Sequence, residues 1–411
     1  MDKKIRFGVI GLGCRGLGTM VTVLFPFDEI IVTAVCDTYE DRADEGAKAV
    51  FEKYGTQPFS TTDFNQLLAR DDVDAVYIAC SWEDHIKVAI AALNAKKAVA
   101  LEVGGAYNTD ELWELVDAYE KTKTPFMFME NCCFGKTELL VTSMARRGLF
   151  GEIVHCSGAY AHDLRGEICG GNINRHYRLR NYADRNTENY PTYELGPIAK
   201  LLNINRGNRF VSLVSVSSKA RGLAQYISDH EELTEKDPSL KSINFMQGDI
   251  VNTVITCENG ETVALKLDTT LPRSYSREFT VRGTKGAYFE DSNSFYFDGM
   301  DEFWTTQEYM AKYANNAAEY EKEYLPDAWK HITENELKSG HGGMDAVEFR
   351  CFINAYLRGE EMPVDVYDAA AWMAVSALAE RSIAEGGAPQ AFPDFTKGAW
   401  RERPCADVMK L

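Results

Sequence analysis

Gly11, Gly13 and Gly16 fall in the pattern G-x-G-x-x-G, and an acid, Asp37, follows 21 residues after the last of them. Glycines at this spacing let a backbone turn approach a bulky anion, and the amides that open the next helix can hold its charge. A pyrophosphate suits that geometry. An acid at the tip of the second strand can accept hydrogen bonds from both hydroxyls of a ribose, while its charge repels a 2′-phosphate, so the pattern favours NAD over NADP. The plainer alternatives are a glycine-rich bend and an Asp capping the helix that starts near Tyr39. Context argues for the dinucleotide, because the turn follows a strand and opens a helix.

A second group of residues could move protons and grip a polar ring. Tyr160 and His162 alternate with Ala161 along a strand pattern, which puts both side chains on one sheet face. Tyr190 and Tyr193 are three apart, as on one face of a helical turn entered at Pro191. Tyr275 follows a strand in Leu271-Pro-Arg-Ser-Tyr275-Ser-Arg277. Rings pack on the C–H faces of a sugar while phenolic oxygens bond its hydroxyls. His155, His162, Asp163 and His341 could gather as metal ligands, but no spacing demands it, so no metal is expected. The adjacent Cys132 and Cys133 read as buried filler.

The elements that must position these residues fall into two rhythms. From Ile5 to Met129, apolar runs at 5–10, 30–36, 75–80, 98–101 and 126–129 alternate with helical patterns, as parallel strands with covering helices do. The first helix is expected over Leu17–Phe25. Beyond residue 133 come longer alternating strands: 151–163, 210–219, 249–257, 262–270 and 278–282, with Asn259-Gly260 as a tight primed hairpin turn. Helices follow at 344–358 and 366–385, and 219–242 reads as a polar loop. The fold class expected is α/β: an N-terminal Rossmann dinucleotide-binding domain (1–133) and a C-terminal α+β domain (134–411) with a large, mostly antiparallel open sheet.

Composition narrows the partners. The chain has 411 residues and a formal charge of −18, which disfavours nucleic acid and anionic membranes. No apolar run approaches the roughly 18 residues of a spanning helix, and no leader is visible at the start, although a trimmed one would leave no trace. Ten scattered cysteines suit a reduced interior, so a cytoplasmic setting is expected.

Several further motifs carry a resemblance: Trp82-Glu-Asp-His85, Leu101-Glu102-Val103, Met129-Glu-Asn131, Gly158-Ala-Tyr160-Ala-His162-Asp163-Leu-Arg165, Tyr190-Pro-Thr-Tyr193-Glu-Leu-Gly-Pro197, Asn203-Ile-Asn-Arg-Gly207 and His341-Gly-Gly-Met-Asp345. With them the chain resembles the glucose-fructose oxidoreductase, inositol dehydrogenase and MocA superfamily. More narrowly, it resembles the NAD-dependent, α-N-acetylgalactosaminidase-like enzymes of glycoside hydrolase family 109. The resemblance implies Arg15 and Gly16 on the pyrophosphate, and Trp82, His85, Glu102, Val103 and Asn131 at the nicotinamide end. Each of these segments ends an inferred parallel strand, where an open α/β sheet places its ligand crevice. Read alone, Trp82 could be core and His85 a helix-start histidine.

The resemblance further implies a glycosidase that uses tightly bound NAD to oxidise the sugar at C3, eliminate the aglycone after loss of the C2 proton, add water and reduce C3 again. Such families stand outside the two-carboxylate rule of glycoside hydrolysis. Tyr160, Arg178, Tyr190, Tyr193 and Tyr275 would contact the sugar, and Tyr193, His162 and Tyr160 are the catalytic candidates. The family usually has histidine where this chain has Tyr193. That change allows a different anomer, a different sugar, or transfer of the proton role to His162 or Tyr160; Tyr193 could equally be packed aromatic and His162 a supporting group. His176 and His341 fit either the pocket or a loop and helix-cap role. Sugar dehydrogenases of the superfamily follow the strand ending at Leu101 with Glu-Lys-Pro and carry an acid and a histidine four apart. Here Glu102-Val103-Gly104 and Glu194 with Ile198 stand in those places. The alternative to the glycosidase is an NAD-dependent sugar or glycoside 3-dehydrogenase, and a silent NAD or sugar sensor is a third reading. Superfamily habit adds a homodimer or homotetramer.

Overall fold

The computed structural model describes residues 4–411. Strands β1 (Ile5–Ile10), β2 (Ile30–Cys36), β3 (Phe59–Thr61), β4 (Ala75–Ile78), β5 (Ala98–Glu102) and β6 (Phe126–Met129) pair in parallel, in the order β3-β2-β1-β4-β5-β6. β4, β5 and β6 are buried along their whole length, as strands covered on both faces must be. The order reverses between β1 and β4, so the ligand crevice of this sheet lies beyond the C-terminal ends of those two strands.

Part of the sheet's coat comes from the far end of the chain. Helix Met344–Arg358 sets Phe349 against Tyr77 and Phe352 against Phe7, with ring centroids 5.4 and 5.7 Å apart. Helix Val366–Ala384 brings Trp372 to Phe128 at 6.2 Å. The first of these helices therefore carries its N-terminal Asp345 to Arg15 and Asn131 at the crevice.

The second sheet contains β7 (Ile153–Ala161), β8 (Phe210–Ser217), β9 (Ile250–Cys257), β10 (Thr262–Asp268), β11 (Thr280–Gly283), β12 (Gly286–Phe289), β13 (Ser294–Phe297) and β14 (Gln390–Ala391), in the order β13-β12-β11-β7-β10-β9-β8-β14. β7 and β10 pair in parallel and the other neighbours are antiparallel. β9 alternates buried and exposed residues, which marks a sheet with one covered and one open face. The open sheet expected from the sequence is thus present.

Three local expectations need correction. The β9–β10 turn is not a primed two-residue turn, because Gly260 has φ +97° while Asn259 is absent from the left-handed residues. Gly260 N–H bonds Cys257 O at 3.1 Å, giving an ordinary turn closed by a left-handed glycine. The polar stretch 219–242 folds into helices Gly222–Asp229 and Glu231–Lys236 and a 3₁₀ turn, since Leu223 and Ile227, four apart, reach a buried cluster. The first helix begins at Cys14, and its last part, Met20–Leu24, widens to π geometry.

A buried ion network holds the helix under the second sheet. Arg206 donates to Asp368 at 2.9 and 3.0 Å and to Asp365 at 2.7 Å, and Lys200 lies 3.4 Å from Asp368. Lys200 belongs to helix Thr192–Leu201, so this network anchors that helix to Val366–Ala384.

Candidate active site

The glycine turn leaves no room for other residues at two of its three positions. Gly11 has φ +91°, and an added Cβ there would sit 2.5 Å from the Ala79 carbonyl carbon; at Gly16 it would sit 1.8 Å from Gly11 O. At Gly13 the nearest atom would be an Arg42 guanidinium nitrogen 3.6 Å away, so the turn is open on the side a diphosphate would approach. Asp37 is buried, with Oδ2 accepting from Leu12 N–H at 2.7 Å and Oδ1 from Tyr39 N–H at 2.9 Å. A carboxylate accepting two such bonds keeps lone pairs for ribose hydroxyls. The residues present therefore fit a dinucleotide.

Arg15 turns its guanidinium inward. Its Nε donates to Glu102 Oε1 at 2.8 Å and its Nη1 to Asp345 Oδ2 at 2.5 Å. Tyr77 O–H also donates to Glu102, at 2.6 Å, and Asn131 Nδ2 donates to Asp345 Oδ1 at 2.7 Å. His341 Nδ1 lies 3.1 Å from both Asp345 oxygens. Burial works against the Asp345 carboxylate, yet His341 and Arg15 hold it well below the usual range. The hydrogen bond to Asp345 raises His341 in turn. His341, Gly342 and Gly343 all have positive φ (51°, 66° and 101°), a run in which two glycines relieve most of the strain.

Beyond β4 and β5 stand Trp82 and His85, with Val103 packed against the core. His85 is fully buried; the Glu102 backbone approaches it, but neither ring nitrogen has a partner of good geometry among the described residues. Burial lowers its pKa to about 4, so the ring is a neutral imidazole at physiological pH. A side chain at Gly104 would place its Cβ 2.5 Å from His85 Cε1 and 2.6 Å from Trp82 Cδ1. The proline that ends the Glu-Lys-Pro of the sugar dehydrogenases thus has no space at Gly104 here.

Trp82 is also the wall of a second chamber. Its ring stacks on Tyr190 at 5.5 Å, and Tyr160 lies 4.6 Å from Tyr190 and 4.9 Å from Tyr193. His162 stands edge-on to Tyr160 at 6.4 Å and to Tyr275 at 5.4 Å. The phenol oxygens of Tyr193 and Tyr275 are in direct hydrogen-bond contact. Arg178 is buried, donates to Tyr160 Oη at 3.2 Å, and spreads over the rings of Trp82, Tyr160 and Tyr190. The structure therefore brings together Tyr160, His162, Arg178, Tyr190, Tyr193 and Tyr275. Burial pushes the Tyr193 phenol far up, while Arg277 pulls the other way.

Two features escaped the sequence reading. Glu130, at the end of β6, is 1% exposed; its Oε1 meets Cys132 N–H at 3.3 Å, its Oε2 lacks a partner of good geometry, and burial raises it to about 7. Its charge also pushes up the Tyr190 phenol, which places it beside the chamber. The signal was its position in Met129-Glu-Asn131, directly after a strand that points into the crevice. The second feature is Arg277, which lies 2.5 Å from Glu138, 3.3 Å from Glu194 and 3.4 Å from Glu290. Gly158 makes this possible, because any Cβ there would sit 2.5 Å from Glu194 Cβ. Among the described residues, no three His, Cys, Asp or Glu side chains gather as a metal site would require, and no helix is long and apolar enough to cross a membrane.

Residues 134–402 match the model of the glycosyl hydrolase 109 C-terminal domain, and residues 5–129 match that of the oxidoreductase family with an NAD-binding Rossmann fold. A glycosyl hydrolase family 109 protein of Stenotrophomonas maltophilia is 36% identical, over 98% of this chain and 91% of its own. An alpha-N-acetylgalactosaminidase of Tannerella forsythia is 36% identical over 98% of this chain and 88% of its own. Among solved structures, a levoglucosan dehydrogenase in complex with NADH and levoglucosan superposes with a TM-score of 0.69 at 18% identity, over 95% of this chain and 100% of its own, a likeness of fold.

Proposed function

The chain belongs to glycosyl hydrolase family 109 and is a glycosidase with an NAD-binding fold, and we propose that it cleaves an N-acetylhexosaminide in a redox-neutral cycle of oxidation at C3, elimination, addition of water and reduction. The observation that carries this reading is the shared wall: Trp82 belongs to the strand ends that flank the glycine turn and also stacks on Tyr190 of the aromatic chamber. A sugar among the tyrosines would then lie against the cofactor. The name of the Tannerella forsythia enzyme supplies the sugar class.

NAD, when bound, supplies a reversible hydride acceptor that turns C3 into a carbonyl and so makes the C2 hydrogen acidic. Gly11, Gly13 and Gly16 would seat its pyrophosphate and Asp37 its ribose, while Trp82, His85, Val103 and Asn131 line the nicotinamide end. Arg15 and Glu102 act through the buried network that fixes this end. Neutral His85 can donate or accept one hydrogen bond from an amide without adding charge. Arg178 orients Tyr160, whose own O–H then points to a sugar hydroxyl or to the departing oxygen. Glu130, poised at about 7, is the group best matched to take and return a proton near neutrality. Tyr193 and Tyr275, sharing one proton line, hold a substrate oxygen in place; His162 backs Tyr275 edge-on. Outward-facing Val154, Val214, Val216 and Val254 on the second sheet support pairing of two copies through that face.

An aryl N-acetyl-α-galactosaminide cleaved in heavy water tests the cycle. Deuterium is expected at C2 of the released sugar, with aglycone forming and no growth of NADH absorbance. Full retention of the original hydrogen rejects the cycle, and stoichiometric NADH points to the 3-dehydrogenase instead.

A further inference from the structure

We infer that residues 174–180 form a bridge over the cofactor crevice and hold the dinucleotide in place through successive turnovers, an inference that rests on the NAD reading above. The strand order is the first ground. β1, which ends in the glycine turn, lies between β2 and β4, so a segment that touches the residues after β2 and also those after β4 must pass over that turn. Residues 174–180 do both. On the β2 side, Arg175 forms two 2.8 Å bonds to Asp41, and Arg42 donates to the Asn174 carbonyl at 2.7 Å. The Tyr39 ring has Arg175 4.4 Å and Arg42 5.1 Å from its centre. On the β4 side, Tyr177 packs on Trp82 at 4.7 Å and Arg180 donates to Glu83 at 3.0 Å.

The distances agree with a crossing. Two strand spacings of about 4.8 Å separate β2 from β4, a gap that the six residues from Arg175 to Arg180 can span. Arg175 has φ +51°, a left-handed step that turns the segment down towards Asp41. The two abutments differ in kind. Trp82 is 4% exposed, so that contact is a buried ring pair, whereas the Asp41 side chain is 66% exposed. Exposed ion pairs are individually weak. The β2 side is thus the end that opens, and the Trp82 side is the hinge.

The arrangement suits a redox-neutral cycle, in which NAD is restored within each turnover and has no need to leave. An enzyme that exports NADH must open the same crevice every time.

The test uses the full-length protein loaded with NAD. Holoprotein is passed into NAD-free buffer, and bound NAD is followed over time by native mass spectrometry, with melting temperature measured alongside. Arg175→Ala and Asp41→Ala are each expected to speed release by about fivefold, the modest change that loss of an exposed ion pair produces. The double variant should release no faster than the quicker single one. The exchanged pair Asp41→Arg with Arg175→Asp should restore slow release. Equal release from the wild type and all variants, with unchanged melting temperatures, overturns the bridge. If instead the wild type takes up no NAD at millimolar concentration, the NAD reading itself falls.

Discussion

The two halves of the site handle buried charge in opposite ways. On the cofactor side, Arg15 and His341 face Glu102 and Asp345, two basic groups against two carboxylates, with Asn131 and Tyr77 completing the hydrogen bonds. On the sugar side, Glu138, Glu194 and Glu290 share the single guanidinium of Arg277, and Glu130 stands apart without a cation. A buried pair with its bonds made is a rigid scaffold, whereas surplus buried carboxylates must carry protons. Burial accordingly raises Glu130, Glu138 and Glu194, while Asp345 is held low. In the proposed reaction one half fixes a ligand and the other stores and passes protons, with the fully buried Glu348, pushed up by burial and by Asp345 and Glu102, as a surplus acid behind the first.

Removing the proton store should have the largest effect. Glu130→Gln keeps the shape but cannot ionise, so kcat should fall by roughly 10²–10⁴, the usual worth of a general acid or base. In the wild type, activity should rise as pH passes about 7. The stability effect runs the other way: a carboxyl whose folded value lies above its unfolded 4.5 favours the fold at low pH and loses that advantage as pH climbs through about 7. Glu130→Gln should therefore melt higher than the wild type above pH 7. Unchanged kcat in this variant would move the proton role to Tyr193, His162 or Tyr160.

The next effect concerns Arg277. Arg277→Met would strand three carboxylates around one apolar chain and should cost about 3–5 kcal/mol, as breaking a buried ion pair does. Chemical denaturation would read it, and lowering the pH should recover part of the loss by protonating the stranded acids. The mirror experiment sits at Gly104. Gly104→Ala pushes a methyl into His85 and Trp82 and should cost about 1–3 kcal/mol of overpacking, read as weaker NAD binding in calorimetry.

The contrast between the halves also sets what the sequence could disclose. The glycine turn and Asp37 are local and legible, whereas Trp82 and His85 read alone as core and a helix-start histidine, and it was the family resemblance that drew them, with Glu102 and Asn131, to the crevice. The aromatic chamber was legible because Tyr160 and His162 alternate at the end of β7 and Tyr190 and Tyr193 flank the start of helix Thr192–Leu201. Arg277 was not: its partners Glu138, Glu194 and Glu290 come from three different segments, and no spacing rule links them. Arg15 shows the same limit, since its nearness to the glycine turn says nothing of Asp345, 330 residues away. Helices in 219–242 were hidden by surface polarity, with only Leu223 and Ile227 as apolar anchors.

The smallest expected effect tests whether the cofactor side is as rigid as its balance implies. His341 is half exposed and is raised by its hydrogen bond to Asp345. A histidine raised on folding contributes its stability fully below the unfolded value, about 6.5, and loses it as pH rises through the folded one. Solvent screening keeps this contribution under about 1 kcal/mol. The wild type should thus melt slightly lower at pH 8 than at pH 6, and His341→Gln should remove that part of the difference without touching the part due to Glu130. Comparing His341→Gln and Glu130→Gln across the same pH range separates the two halves. If the histidine variant removes the larger share, the surplus carboxylates are not the main proton store, and the division between a fixed half and a proton-passing half fails.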